Sequence, residues 1–210
     1  MHPESDLRMA DSPVQRYYRL QATVYNLTRW SFLHGRARAV GALGLSPQST
    51  VLEIGCGTGL NFRHIVPHLT SDDARLVGVD FSADMLQRAE RLVERKGWKN
   101  IELVQADATK LDLKQKFSRV FFCYSIAMIP DWQRALERAV EHLEDGGRLV
   151  VLEFGQFEKW GLLGRPIRRW LRVNHVETEQ PIKHELKSHF QQIDFSSWMG
   201  GYNFVAVGTK

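Results

Sequence analysis

A glycine-rich turn in residues 51–61, VLEIGCGTGLN, constrains the fold of this chain more than any other feature. A short apolar run predicts a buried strand over Val51–Ile54, and Gly55, Gly57 and Gly59 follow at alternate positions. Glycine has no Cβ, so its backbone can turn sharply and approach a ligand closely. A strand that leads into a glycine loop and then a helix is typical of the nucleotide-binding turn of a doubly wound α/β sheet.

The spacing of the three glycines separates the possible ligands. A dinucleotide fingerprint needs its third glycine three residues after the second, where this chain has Leu60. A P-loop ends in Gly-Lys-Ser/Thr, and this loop has no lysine. A carboxylate at Glu53 would repel phosphates and would tolerate a cationic ligand. Neither pyrophosphate nor triphosphate is therefore favoured.

The next predicted strand ends in an acid. Leu76–Val79 is a short apolar run followed by Asp80, about 20 residues after the glycine loop, which is the spacing expected for an acid that binds ribose hydroxyls. Asp107 follows the third strand in the same way. The alternative is a structural glycine loop in another α/β protein, with both acids acting as turn or cap residues.

Glu53, the three glycines and Asp80 together resemble motifs of the class I S-adenosylmethionine-dependent methyltransferases. The resemblance implies that S-adenosylmethionine is the cofactor and S-adenosylhomocysteine the product. Methyl transfer from a sulfonium needs mainly positioning and exclusion of water, so no metal is expected. The implied cofactor-binding residues are Tyr25, Arg29, Glu53, Gly55, Gly57, Gly59, Asn61, Asp80, Phe81, Met85, Asp107, Ala108, Tyr124 and Met128.

Strand and helix patterns alternate through the rest of the chain. Further strands are predicted at Ile101–Val104, Arg119–Tyr124 and Leu149–Phe154, and a helix that starts at Trp132 is expected to continue to Gly146. Two closing strands are predicted at Gln192–Ser197 and Tyr202–Gly208. The predicted class is α/β: a doubly wound, mostly parallel, seven-stranded sheet with a C-terminal antiparallel hairpin, Rossmann-like, plus N-terminal helices.

Two basic, aromatic segments flank this core. Residues 1–45 are predicted to be a helical lid for substrate and membrane, since aromatic and apolar residues recur every three or four positions from Val14 to Leu43. Residues 46–210 form the predicted cofactor-binding domain, with a basic amphipathic insertion at 158–190. Lys159–Arg172 holds five cations and no acid. This pattern is typical of a membrane-surface segment, but on pattern alone it slightly favours a helix that packs on the sheet with a solvated basic face.

The stretch Tyr18–Arg36 resembles the start of bacterial lipid N-methyltransferases, which trimethylate diacylglyceryl homoserine to a betaine lipid or act on phosphatidylethanolamine. The family has an acid after its tyrosine, where this chain has Asn26. The resemblance implies a membrane-lipid amine as substrate at an anionic bilayer surface, and a cytoplasmic enzyme peripheral on the inner face of the membrane. Tyr25, His34 and Tyr202 are candidate catalytic residues that accept or relay the amine proton.

Composition agrees with an anionic partner. The net charge is +4 and the isoelectric point is near 9.2. No apolar run suits a spanning helix or a signal peptide, and Cys56 and Cys123 are expected to be reduced packing residues. One alternative is a C-methyltransferase of ubiquinone or menaquinone biosynthesis, or another small-molecule methyltransferase. Another is a non-enzymatic protein with this fold. Nucleic acid is not expected, because no Asn/Asp-Pro-Pro-Tyr motif follows the fourth strand.

Overall fold

A computed structural model describes residues 34–173, residue 178 and residues 181–210. The strands are β1 (Thr50–Ile54), β2 (Arg75–Asp80), β3 (Ile101–Gln105), β4 (Phe117–Cys123), β5 (Leu143–Phe154), β6 (Ile193–Trp198) and β7 (Asn203–Thr209). The α-helices are α1 (Arg36–Ala42), α2 (Phe62–Ile65), α3 (Ala83–Lys96), α4 (Trp132–Glu141), α5 (Gly164–Val173) and α6 (Ile182–His189). Short 3₁₀ segments lie at Val66–His68, Ala108–Lys110, Ile126–Met128 and Glu158–Leu163.

All seven strands form one sheet, in the order β3-β2-β1-β4-β5-β7-β6. The first five are parallel, and β7 runs antiparallel to both β5 and β6. The predicted fold class is therefore confirmed, including the closing hairpin. The strand order reverses between β1 and β4, and ligands of such sheets bind at the carboxyl ends of the strands beside this point.

Helices cover both faces of the sheet and bury an apolar core on each. One core takes side chains from α1, α2, α3 and α5, and the other takes side chains from α4 and α6. The central strands read as near-continuous apolar runs because both of their faces are covered. The basic helix α5 thus shares a face of the sheet with α1.

Local signals at α3 act as the sequence predicts. The Ser82 side chain accepts a hydrogen bond from the Met85 backbone, which caps the first turn. Gly97 ends the helix in the left-handed conformation, with φ of 66°. Between these caps, Leu86 and Ala89 face the core. This helix fixes the position of the loop after β2, which carries Asp80.

The end of α4 differs from the prediction. The helix stops at Glu141, because the buried His142 bonds through one ring nitrogen to the Arg138 carbonyl and accepts from the Leu113 backbone through the other. The next residue, Leu143, already pairs with β4, so β5 begins well before Leu149 and includes both glycines that were expected to end the helix.

The predicted N-terminal helices lie mostly outside the described residues, and only α1 falls within them. In the described part of the chain, no helix has the length and apolar character needed to span a bilayer. Cys56 and Cys123 are both buried free thiols, as expected.

Candidate active site

A cavity of about 510 Å³ opens at the carboxyl ends of β1, β2 and β4. It lies beside the point where the strand order reverses. Eleven of the predicted cofactor residues line it: Glu53, Gly55, Gly57, Asn61, Asp80, Phe81, Met85, Asp107, Ala108, Tyr124 and Met128. The described structure therefore brings residues from four separate loops to one site, although their individual roles stay predictions.

The glycine loop has a left-handed backbone that requires glycine, with φ of 72° at Gly55 and 57° at Gly57. The Gly55 and Cys56 amides both donate to the Val79 carbonyl, at 2.8 and 2.9 Å, and so tie the loop to β2. A Cβ on Gly55 would lie 2.4 Å from the Ser125 Cβ, whereas one on Gly57 would meet nothing within 4 Å. Gly57 thus presents bare backbone to the open cavity.

Gly59 has a different task from the one predicted. It does not line the cavity. A Cβ there would lie 2.6 Å from the ring of Phe62, which is fully buried. Gly59 therefore allows the first residue of α2 to pack closely under the loop, and the structure gives it no direct approach to a ligand.

Asp80 is fixed by the backbone on both sides. One carboxylate oxygen accepts from the Gly57 amide at 2.8 Å and the other accepts from the Ser82 amide at 2.9 Å. Burial raises the pKa of Asp80, while the bonds from Ser82 and Gly57 act in the opposite direction. Each carboxylate oxygen has a second lone pair, so the group can still accept from a pair of ribose hydroxyls.

Glu53 is a buried acid on the floor of the cavity. Burial raises its pKa to about 7, against a lowering by its hydrogen bond with Asn61 and by the charge of Arg36. One oxygen accepts from the Asn61 side-chain amide at 2.6 Å, and the other is buried with no hydrogen-bond partner among the described residues. A buried acceptor without a partner is costly. A cationic group of a ligand would satisfy it, so this feature fits S-adenosylmethionine.

Arg36 is a cavity residue that the sequence reasoning missed. Its guanidinium donates to the Asn61 carbonyl oxygen at 2.7 Å and to the Cys123 sulfur at 3.3 Å. It also lies 5.6 Å from the centre of the Tyr124 ring. No sequence motif marks Arg36, because its contact with the cavity depends on how α1 packs over the glycine loop. The guanidinium is suited to hold a carboxylate of the cofactor or substrate.

The part of the cavity beyond β2 and β3 combines apolar side chains with one acid. Phe81, which is 49% exposed, and Met85 stand beside Asp107 and Ala108, as expected for a site that holds a flat base. One Asp107 oxygen accepts from the Thr109 amide at 2.9 Å and from its hydroxyl at 2.7 Å. Asp107 therefore caps the short 3₁₀ turn and still borders the cavity, so the cap role and the ligand role are compatible.

Tyr124 closes the opposite end. It has φ of 54°, an unfavourable conformation for a residue with a side chain. Its hydroxyl donates to the His34 carbonyl, which also accepts from the Asn203 side-chain amide at 3.3 Å. Burial raises the pKa of the Tyr124 hydroxyl. These bonds fix the chain just before α1 at the edge of the cavity.

Two of the three predicted proton acceptors, His34 and Tyr202, do not line the cavity. The His34 side chain is exposed and does not line it. Tyr202 is buried among aromatic rings, 5.7 Å from Phe154 and 5.4 Å from Phe157, and burial raises its pKa. The geometry gives neither prediction support. Tyr25, like the predicted cofactor ligand Arg29, lies outside the described residues.

Acids dominate the charge of the cavity. Among the described residues, four carboxyl groups line it, namely Glu53, Asp80, Asp107 and Asp131, and one cation, Arg36. An excess of carboxylates favours cationic ligands over anionic ones. Within residues 34–173, 178 and 181–210, no group of three His, Cys, Asp or Glu side chains is arranged to hold a metal ion.

Comparisons with known proteins agree with this site. Residues 51–147 match the family described as "Methyltransferase domain". The demethylmenaquinone methyltransferase of Lactococcus lactis subsp. lactis is 29% identical over 119 residues, which is 56% of this chain and 47% of that protein. The phosphatidylethanolamine N-methyltransferase of Cereibacter sphaeroides is 34% identical over 104 residues, 49% of each chain. The chain thus spans about half the length of these curated relatives.

Solved structures support the fold. A S-adenosylmethionine-dependent methyltransferase from Aquifex aeolicus has a TM-score of 0.70 at 16% identity, covering 90% of this chain and 97% of that one. Phosphoethanolamine N-methyltransferase 2 from Haemonchus contortus has a TM-score of 0.73 at 19% identity, covering 88% of this chain and 46% of that one.

The fold and the site define the class: this is a class I methyltransferase fold with a cavity at its cofactor-binding edge. The residues that match the methyltransferase domain, 51–147, contain the glycine loop, Asp80, Asp107 and Tyr124. This match agrees with the predictions of a S-adenosylmethionine-dependent methyltransferase and of its cofactor.

Proposed function

We propose that the protein is an N-methyltransferase that transfers a methyl group from S-adenosylmethionine to the amine head group of a membrane lipid. Diacylglyceryl homoserine and phosphatidylethanolamine are the proposed acceptors. The observation that carries the proposal is the acidic lining of the cavity, to which the described part of the chain contributes four carboxyl groups and one cation. A sulfonium donor and an ammonium acceptor are both cationic, and both are attracted to such a site.

The cofactor would be held by groups that the chain already fixes. When bound, S-adenosylmethionine supplies an activated methyl group on its sulfonium. Asp80 is oriented by two backbone amides to accept from the ribose hydroxyls. The bare backbone at Gly57 leaves room for the nucleoside. Glu53 offers an unsatisfied oxygen to the amino group, and Arg36 offers its guanidinium to the carboxylate.

The acceptor amine must be neutral to act as a nucleophile, so its proton has to pass to a base. Asp131 is an exposed carboxylate on the rim of the cavity, at the start of α4. One of its oxygens accepts from the Arg134 amide at 3.3 Å, which fixes the side chain. We assign proton acceptance to Asp131, because an exposed carboxylate can pass the proton to water. Tyr25 stays a prediction for the same role.

Sequence similarity gives limited support to the choice of a lipid amine. The phosphatidylethanolamine N-methyltransferase relative has the higher identity, 34%, compared with 29% for the quinone enzyme. The basic helix α5 suits a membrane surface. On this proposal the protein is cytoplasmic and binds peripherally to the inner face of the membrane.

The second candidate is C-methylation of a demethylated quinone. Several demethylmenaquinone methyltransferases match this chain at 25–29% identity. A quinone is neutral and apolar, so the acidic lining would contribute little to its binding. This difference in acceptor charge is what an assay can separate.

Incubation with methyl-labelled S-adenosylmethionine tests the choice. Detergent-dispersed diacylglyceryl homoserine, phosphatidylethanolamine and reduced demethylmenaquinone are offered separately at equal concentrations. We expect label in an amino lipid and none in the quinone. Label in the quinone alone would overturn the proposal. Asp131→Asn should lower kcat with little change in cofactor affinity. The loss should shrink as the pH rises, because the ammonium group then gives up its proton to solvent and becomes a neutral amine.

A further inference from the structure

The outer face of α5 combines cations with apolar side chains. Gly164 and Leu171 are buried against the sheet and Ile167 packs on the same core. The side chains on the outer part of the helix form what we term the arginine face: Arg165, Arg168, Arg169, Trp170, Arg172 and Val173. The four arginines line a shallow groove of about 540 Å³ together with Val173.

The charges of this face are directed outward. Arg168 donates to the Gln156 carbonyl at 2.8 Å, which fixes it along the helix. Arg165 and Arg169 are exposed, and in the described parts of the chain no carboxylate forms an ion pair with either. Unneutralised arginines that are close together attract an anionic surface and are suited to phosphate groups.

Apolar side chains stand beside these cations. Trp170 is 50% exposed and Val173 is 70% exposed, although both are large hydrophobic residues. An exposed tryptophan and valine next to arginines is typical of a helix that lies in the interface of a bilayer, with the cations at the head groups and the apolar residues in the acyl region. A nucleic acid would use the cations and would give Val173 no apolar partner.

The segment that leads from β5 into α5 lies on the cavity side of the sheet. α5 follows β5 at the carboxyl edge of the sheet, where the cavity opens. Aromatic contacts link the two: Tyr124, which lines the cavity, lies 4.8 Å from Phe154, and Phe154 lies 5.7 Å from Tyr202. Tyr202 in turn contacts Trp160, 6.0 Å away, in the segment that leads into α5. A surface bound by α5 would therefore be near the cavity.

We propose that the arginine face is a docking surface for an anionic lipid bilayer, bound through lipid phosphates by Arg165 and Arg169 and through the acyl region by Trp170 and Val173. The inference rests on the proposed function for its purpose, which is to bring lipid head groups to the cavity. Its physical basis, the charge and exposure of α5, is independent of the identity of the acceptor.

Sedimentation with vesicles tests the docking surface. The full chain is mixed with vesicles of phosphatidylglycerol and phosphatidylcholine, or of phosphatidylcholine alone. We expect binding to the anionic vesicles, weakened by salt. Arg165→Gln with Arg169→Gln should weaken the partition coefficient roughly 20- to 30-fold, since each near-surface cation contributes about fivefold. Trp170→Ser should weaken the binding that remains at high salt.

A charge-matched control uses the exposed Arg91 and Arg95 of α3. Arg91→Gln with Arg95→Gln should leave binding within about twofold of the native chain, because those cations are away from the proposed surface. Equal losses in the two double variants would overturn the proposal, as would a native chain that does not bind anionic vesicles. Binding of a short RNA that is lost in the α5 variant, without vesicle binding, would also overturn it.

The two proposals fail in different ways. A detergent-dispersed substrate needs no docking, so the α5 double variant should methylate it at the native rate and bind cofactor with native affinity. Vesicle binding through α5 without methylation of any amino lipid would contradict the proposed function and leave the docking surface standing. If the chain methylates dispersed amino lipid but does not bind vesicles, only the proposed docking surface is contradicted.

Discussion

The cavity and the arginine face of α5 carry opposite charge at the same edge of one sheet. Of the residues that the structure describes, those that line the cavity carry four carboxyl groups and one guanidinium. The arginine face has four guanidinium groups on ten residues of helix. Each acid of the cavity accepts at least one specific hydrogen bond, from Asn61, Gly57, Ser82, Thr109 or Arg134, whereas Arg165 and Arg169 are exposed on a single helix. The difference indicates two ligands: a cation in a shaped site, and an extended anionic surface outside it.

The two regions also have different proposed roles, cofactor binding for the cavity and membrane docking for α5. Apart from Arg36, the proposed cofactor contacts of the cavity fall within residues 51–147, which match the methyltransferase family, and α5 falls outside them. Changes in the cavity should therefore alter cofactor affinity and leave vesicle binding unchanged. Changes in α5 should do the reverse.

The largest expected effect is a change in the pH dependence of stability when Glu53, the buried acid on the floor of the cavity, is replaced. Glu53 has its pKa raised from 4.5 to about 7 in the folded protein. Its contribution to stability is therefore complete below about pH 4.5 and is lost as the pH rises through about 7, a change of ~3 kcal/mol. Glu53→Gln stays neutral, so its free energy of unfolding should fall less over this range. Urea unfolding of the ligand-free proteins measures the difference. Parallel pH curves for the two proteins would show that Glu53 is not desolvated as described.

The next largest expected effect is a loss of ligand affinity when the bare backbone at Gly57 receives a side chain. Gly57→Ala places a methyl group in the space proposed for the nucleoside, and affinity for S-adenosylhomocysteine should fall up to ~100-fold, the size of an overpacking penalty of about 3 kcal/mol. Gly97→Ala is the matched control: Gly97 has φ of 66°, and a Cβ there also meets nothing within 4 Å, at the end of α3. Both variants should lose similar stability, and only Gly57→Ala should lose affinity in calorimetry. Equal affinity in the two would place the ligand elsewhere.

Substitution of Asp80 should give the next largest loss of cofactor affinity. Asp80→Ala removes the acceptor for two ribose hydroxyls and for the Gly57 and Ser82 amides, so cofactor affinity should fall more than about tenfold. Asp80→Asn keeps one acceptor oxygen and should show a smaller loss. Vesicle binding should be unchanged in both. Unchanged cofactor affinity in Asp80→Ala would contradict the ribose assignment.

The smallest expected loss of cofactor affinity is at Arg36, the one cation among the described residues that line the cavity. Arg36→Gln removes the guanidinium that bonds to Asn61, and cofactor affinity should fall about fivefold, which corresponds to one hydrogen bond of about 1 kcal/mol. Arg38→Gln is the control, since Arg38 lies over the Trp198 ring, 5.1 Å from its centre, and does not line the cavity. A loss of equal size in both variants would mean that total charge matters and that position does not.

The sequence predicts those parts of the site that depend on the backbone. Glycines at 55 and 57 and an acid at the end of β2 are local signals, because a left-handed loop and a strand terminus each require particular residues. The same reasoning included Gly59 in the cofactor site, since sequence spacing does not distinguish a glycine that faces a ligand from one that admits Phe62.

Long-range packing determines the features of the fold and the site that the sequence does not predict. Arg36 reaches the cavity only because α1 packs over Asn61 and Cys123, and no local pattern encodes that contact. Tyr202 looked suitable for proton transfer by residue type, but the fold places it among aromatic rings. The end of α4 was misplaced because the hydrogen bonds of His142 overrode the glycines as a stop signal.

A crystal structure with bound S-adenosylhomocysteine tests the central claim most directly. The account predicts the nucleoside in the cavity beside the bare backbone of Gly57, with both ribose hydroxyls donating to the carboxylate of Asp80. A nucleoside found elsewhere on the protein, or one whose ribose does not contact Asp80, would contradict it.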